Sequence, residues 1–298
     1  MKFLKHINSF SLIDYPKFDE ENRKVFLIEN TENNKLLKLF IKRLNNYFKN
    51  DSKINFPIIR IADGEFQFLL GKNEFNLRKP FTELFKNMLR QFIQNITNTP
   101  IRAKSRTYSS GLYNNDDRKF AKLKYIECLK YISEKGIIAL YTIIKPKFYV
   151  EQYLDDFEQL LIKNKITLTG KNYIPFYYIY ILLTNPKYRD MIYKNKNLHL
   201  VTSYNKIKKA KIEKSLYSFG AKSITWTKIS VNKSLFDKLD LTTFNKNIDI
   251  IFVGGGTGKV NLFTQLRNIP ALIIDAGYVF EIWQNDYLSY ERDYCSIN

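Results

Sequence analysis

The sequence predicts an α/β fold: a mostly parallel sheet flanked by helices, in one domain over residues 1–298. Two observations predict it. Short apolar runs rich in isoleucine and valine alternate with helical stretches, and the connections between them are short. Several of these runs end in Asp63-Gly64-Glu65, Gly254–Lys259 or Asp275-Ala276-Gly277, and strand ends are where open α/β sheets bind ligands.

The elements follow from local pattern. Residues 1–29 show no period and read as an irregular N-terminal segment. From Thr31, Leu37, Phe40, Ile41, Leu44 and Phe48 recur at three- and four-residue spacing, which predicts a helix. Ile58, Ile59 and Ile61 predict a buried strand over 56–62 that runs into Asp63-Gly64-Glu65. Pro80 opens an amphipathic helix over 80–97, since proline suits a first helical turn. Residues 102–111 are basic and hydroxyl-rich. A helix over 116–134 and a strand over 136–144 follow, the latter ending at Lys145 and Lys147. The alternation continues with a helix over 149–162, a strand over 166–170 and an aromatic helix over 175–194. Then come a strand over 198–202, a helix over 207–219 and a strand over 223–226. The last units are a strand over 248–253, the glycine run, a helix to Asn268 and a strand over 271–274.

Composition bounds the function. The chain is 45% hydrophobic and 15% aromatic, which excludes a disordered polyelectrolyte. Lysine and arginine outnumber acids 48 to 29, a formal charge of +19 that suits an anionic partner. The lysines are dispersed, which argues against a nucleic-acid-binding tail. Cys128 and Cys295 have neither metal spacing nor a disulfide framework, so a reducing, cytoplasmic setting is expected. The N-terminus lacks the apolar core of a signal peptide. The longest apolar run, 174–183, is too short to span a bilayer. Lysines and aromatics still allow peripheral contact, at the inner face of the plasma membrane. With only His6 and His199, a histidine mechanism or zinc site is not expected, and His199 reads as a satisfied core histidine.

Four groups of residues carry chemistry. Asp63 and Glu65, one residue apart at a strand end, can converge on one hard divalent cation, or simply shape a turn. Lys104 and Arg106 lie in the basic loop, where charged forks match phosphate oxygens. Gly254-Gly255-Gly256-Thr257-Gly258-Lys259 looks like a P-loop and is not one, because Val253 and Val260 stand where glycine and a hydroxyl are required. A glycine-rich strand-to-helix turn still offers backbone N–H groups to a pyrophosphate. Asp275, before Gly277, can hold a ribose hydroxyl, act as a base or cap a turn.

The set Arg60-Ile-Ala-Asp63-Gly64-Glu65, Asp249-Ile-Ile-Phe-Val-Gly-Gly-Gly-Thr257, and Asp275-Ala-Gly277-Tyr278 with Glu281-Ile-Trp283 resembles the GT-D glycosyltransferase family. Order and rough spacing hold over residues 35–283. The resemblance implies a nucleotide-sugar-dependent enzyme with a Rossmann-like fold and a divalent ion, Mn2+ or Mg2+, typically with UDP-sugars. It assigns Asp63 and Glu65 to metal, donor and catalysis. Arg60, Gly64 and Thr257 fall in its donor-binding segments, and Asp275 matches its late aspartate. The chain departs from the family pattern at Ala62, at Gly256 in place of proline and at Tyr278 in place of histidine.

The expected function is therefore metal-dependent transfer of a sugar from a nucleotide sugar to a bacterial surface glycan, glycoprotein or lipid-linked acceptor. Asp63, Glu65 and Asp275 are the catalytic candidates. Arg60, Gly64, Lys104, Arg106 and Gly254–Gly258 are the donor-binding candidates. Two alternatives are a phosphosugar or phosphoalditol transferase of capsule synthesis, and a non-enzymatic binder of nucleic acid or anionic membrane.

Overall fold

The computed structural model describes residues 31–50, 53–61, 115–140, 157–169, 171–231, 233–244 and 247–284, with Glu65, Leu69, Leu89, Ile93, Ile96 and four two-residue strands besides. The elements in chain order are β1 (Lys17–Phe18), β2 (Lys24–Val25), α1 (Thr31–Lys49), β3 (Phe56–Ile61), β4 (Ile101–Arg102) and β5 (Leu112–Tyr113). They continue with α2 (Asn115–Lys135), β6 (Ile137–Leu140), β7 (Tyr173–Pro175), α3 (Tyr177–Thr184), α4 (Arg189–Ile192) and β8 (Asn197–Thr202). The last are α5 (Lys206–Ser218), β9 (Ser223–Lys228), β10 (Ile250–Gly254), α6 (Lys259–Gln265), β11 (Leu272–Asp275) and α7 (Val279–Ile282).

Seven strands form one sheet in the order β7-β6-β3-β11-β10-β8-β9, and every pairing in it is parallel. This is the α/β architecture that the strand–helix alternation predicts. Parallel strands bury both faces, which explains why they read as continuous apolar runs. Successive residues of each strand serve opposite layers. Ile59, Ile61, Ile138, Ile251 and Ile273 pack with Tyr125, Cys128, Leu129 and Ile132 of α2 and with Val260 and Phe263 of α6. Ile58, Ala139, Leu200, Phe252 and Ile274 face the other way, onto Leu37, Phe40 and Leu44 of α1, Ile212 and Leu216 of α5, and Trp283. The helical spacing of Leu37, Phe40 and Leu44 marks one buried stripe, as a surface helix requires. No helix among the described residues is long and apolar enough to cross a membrane.

Two expectations are corrected. Residues 166–169 are not a strand. The side chain of Asn172 accepts from Thr169 N and donates to Thr167 O and Ser133 O, so these backbone groups are satisfied by an Asn-centred loop instead of a ladder. The edge strand is β7, further along. The aromatic helix expected over 175–194 divides at Asn185-Pro186, where Asn185 takes an extended conformation and caps α3; a residue before proline is driven out of the helical region. The helix expected over 80–97 lies mostly outside the described residues, and so does the far end of the strand expected over 136–144.

His199 is a core residue, as its strand context suggests. Nδ1 and Nε2 meet Thr225 Oγ1 and Thr227 Oγ1 at 2.8 and 2.9 Å, and its ring lies 4.2 Å from that of Phe244. Burial lowers its pKa from 6.5 to about 4. The folded state thus binds fewer protons than the unfolded state between those values, and stability falls as pH drops through them. The full loss expected is about 3 kcal/mol. Urea unfolding across this window checks it, with His199→Gln removing that part of the slope; an unchanged slope in the variant would reject it.

Candidate functional site

β3, β11 and β10 are neighbours in the sheet, so the segments at their carboxyl ends meet at one edge. Arg60 lies near the end of β3 and Asp275 ends β11. Arg60 Nη2 donates to Asp275 Oδ1 at 2.9 Å, and Arg60 N donates to Oδ2 at 3.2 Å. Arg60 Nη1 also donates to the hydroxyl of Tyr180 on α3. Its guanidinium lies over the rings of Tyr180 and Phe176, at 5.0 and 5.8 Å from the ring centres. From the other side comes Lys259, the first residue of α6. Its Nζ lies 2.8 Å from Asp275 Oδ2 and 2.6 Å from Glu65 Oε1, and donates to the carbonyl of Arg60 at 2.6 Å.

Two cations and two carboxylates therefore form a charge-balanced cluster. Asp275 is 1% exposed and Lys259 is almost as deep. Glu65 is its outer member, with 13% of its side chain exposed. Burial alone would raise the pKa of Asp275, but Arg60 and Lys259 outweigh it and hold the carboxylate below its ordinary value. Burial alone would lower Lys259, but Asp275 and then Glu65 outweigh it and hold the ammonium above its ordinary value. Both oxygens of Asp275 are committed to cations, a geometry that orients neighbours better than it accepts a substrate proton. Arg60 Nε is buried with no acceptor among the described residues; an unmade bond of this kind costs about 1–3 kcal/mol.

Glycines make the close approaches possible. Gly277 has φ +48°, and a Cβ there would lie 1.6 Å from Arg60 Nη2. In the late turn, a Cβ on Gly254 would meet the ring of Phe280 at 2.6 Å, and one on Gly258 would meet Ser234 Oγ at 2.1 Å. Gly255 O accepts from Ser234 Oγ at 2.8 Å. Gly256, with φ 52°, is the exposed tip of the turn, while Thr257 is buried beneath it.

The structure thus unites Arg60, Glu65, Asp275 and the Gly254–Gly258 turn, whereas Asp63, Gly64, Lys104 and Arg106 lie outside the described residues. Sequence reasoning missed Lys259 and Tyr180. The signal for Lys259 is a lysine at the head of a helix whose next turn brings the core residues Val260, Leu262 and Phe263. Among the described residues, no three His, Cys, Asp or Glu side chains are grouped to hold a metal ion. Glu65 and Asp275 are already neutralised by Arg60 and Lys259, so these donors do not by themselves fit a divalent cation. A separate pocket of about 380 Å3, between α1 and β7, is lined by Leu36, Phe40, Arg43, Tyr173 and Tyr178 and by none of the cluster residues.

No family model and no curated protein matches the chain. Among solved structures it is similar to a selenomethionine structure of domain of unknown function 1792, at 15% identity and TM-score 0.44, over 87% of this chain and 88% of that one. It is also similar to a structure described as a new glycosyltransferase of that domain from Streptococcus sanguinis, at 14% identity and TM-score 0.46, over 87% of this chain and 85% of that one. A third is described as showing that this domain has a distinct glycosyltransferase fold, at 14% identity and TM-score 0.46, over 86% of this chain and 88% of that one.

Proposed function

We propose that the chain is a glycosyltransferase that moves a sugar from a nucleotide-sugar donor, in first instance a UDP-sugar, to a hydroxyl of a glycan, glycoprotein or lipid-linked acceptor. The observation that carries this reading is the Arg60–Asp275–Lys259–Glu65 cluster at the carboxyl edge of β3 and β11, beside the Gly254–Gly258 turn. In the reaction the bond from the anomeric carbon to the diphosphate breaks, the acceptor oxygen bonds to that carbon, and the acceptor proton passes to a carboxylate. Glu65, at the outer rim of the cluster, fits that proton-accepting role better than Asp275, which anchors Arg60 and Lys259. The exposed tip at Gly256 is the part of the turn open to a diphosphate, because a glycine there leaves the backbone uncovered. Asp63 completes the carboxylate pair in this reading.

Calorimetric titration of UDP, GDP and CMP, with Mn2+ and again with EDTA, tests the reading. One nucleotide is expected to bind, and binding of none would overturn it. Loss of binding in EDTA would put a metal next to Asp63 and the outer side of Glu65. Binding unchanged in EDTA would assign the leaving-group charge to the protein's own groups. Asp63→Asn is expected to reduce turnover by at least about a thousandfold with unfolding unchanged, in line with loss of a catalytic carboxylate; near-wild-type turnover would remove Asp63 from the site. Product mass separates sugar transfer from phosphosugar transfer.

A further inference from the structure

Helix α5 buries one face and carries exposed apolar side chains among lysines on the other. Ile212, Ser215 and Leu216 face the sheet and are buried. On the opposite side Ile207 is 70% and Tyr217 50% exposed, among the exposed lysines Lys206, Lys211 and Lys214. The 3.6-residue period places Ile207, Ala210, Lys211, Lys214 and Tyr217 along one outward stripe. The helix has one acid, Glu213, and it is occupied: Trp226 Nε1 donates to it at 2.8 Å, and Lys209 Nζ lies 3.7 Å away.

The amino end of α5 adds aromatic groups. Tyr204 and Trp226 pack at 4.8 Å, with Lys209 over both rings and Lys228 over Tyr204. That end lies at the same sheet edge as the candidate site, since Thr202 pairs in register with Gly254 on one side and Lys228 on the other.

We propose that the outward face of α5 docks on an anionic phospholipid bilayer. Lysines interspersed with exposed aliphatic and aromatic side chains fit that partner, because the charges meet headgroups while Ile207 and Tyr217 enter the interface. Nucleic acid has a use for the lysines but none for a bare isoleucine. Docking along α5 brings the carboxyl edge of the sheet, and with it the Gly254–Gly258 turn, to the level of a lipid-borne acceptor. For that acceptor alone the inference rests on the proposed transferase reading.

Co-sedimentation with vesicles tests it. The protein is expected to pellet with vesicles of equal parts phosphatidylglycerol and phosphatidylcholine at physiological salt, and not with pure phosphatidylcholine. Replacing Lys206, Lys211 and Lys214 together by glutamine is expected to weaken binding on the order of 100-fold. Ile207→Ser is expected to weaken it about tenfold. Circular dichroism and nucleotide titration of these variants are expected to stay as in the wild type, so that failure of docking and failure of the transferase reading are read separately. No association with anionic vesicles, equal association with neutral ones, or full retention in the triple variant would overturn the proposal. Binding of duplex DNA without vesicle binding would overturn it in favour of a nucleic-acid surface.

Discussion

Asp275→Asn is expected to cost about 3–5 kcal/mol of folding stability, the usual loss when one partner of a buried ion pair is removed. Its side chain is 1% exposed, so solvent cannot replace what is lost. Arg60 and Lys259 both depend on it, and a neutral amide would leave the cluster with an excess positive charge in an apolar surround. Urea unfolding of the variant measures the cost, and a loss under about 1 kcal/mol would show that the cluster is not an anchor. The wild type carries the same signature in acid. Asp275 titrates below its ordinary value of 3.8, so its contribution is complete above that pH and disappears as pH falls through the folded value. This adds to the loss from His199, which sets in from pH 6.5 downward.

Gly277→Ala is the second large effect. A left-handed conformation costs a non-glycine residue about 1–2 kcal/mol, and the added methyl would occupy the position of Arg60 Nη2. Displacing the guanidinium from Asp275 leaves buried groups unpaired, at about 1–3 kcal/mol more. We expect a total near 2–5 kcal/mol and loss of turnover. A double-mutant cycle with Arg60→Met tests the cause: if the clash is with the guanidinium, the double variant is worse than Arg60→Met alone only by the backbone cost of about 1–2 kcal/mol. Additive losses would place the damage in the backbone and not at Arg60.

What was legible in the sequence was local. Ile58, Ile59 and Ile61 mark β3 because strands buried on both faces read as unbroken apolar runs. The glycine turn and Asp275 stand out because each directly succeeds such a run. Rejecting a P-loop at Gly254–Lys259 was sound on spacing, yet the lysine proved central. Its acceptors, Arg60 O and Glu65, are remote in sequence and become neighbours only through the order of strands in the sheet. No window of residues contains that fact. Tyr180 was hidden for the same reason, as one tyrosine in an aromatic run until α3 lays it against Arg60. The misplaced strand at 166–170 shows the opposite failure. Ile166-Thr-Leu-Thr169 has the alternation of a strand, but Asn172 supplies hydrogen bonds that a neighbouring strand would otherwise provide.

The position of β11 has a consequence for biosynthesis. It comes after the other six strands in the chain but occupies the middle of the sheet, between β3 and β10. Without it the other six strands can pair only as two half-sheets, β7-β6-β3 and β10-β8-β9, whose inner edges are left open. Such edges are templates for unwanted pairing, and late long-range closure slows folding. Insertion of β11 joins the halves and, in the same event, delivers Asp275 to Arg60 and Lys259. The charge cluster is therefore assembled last, and chains stopped before Leu272 would lack Asp275 and be prone to aggregate.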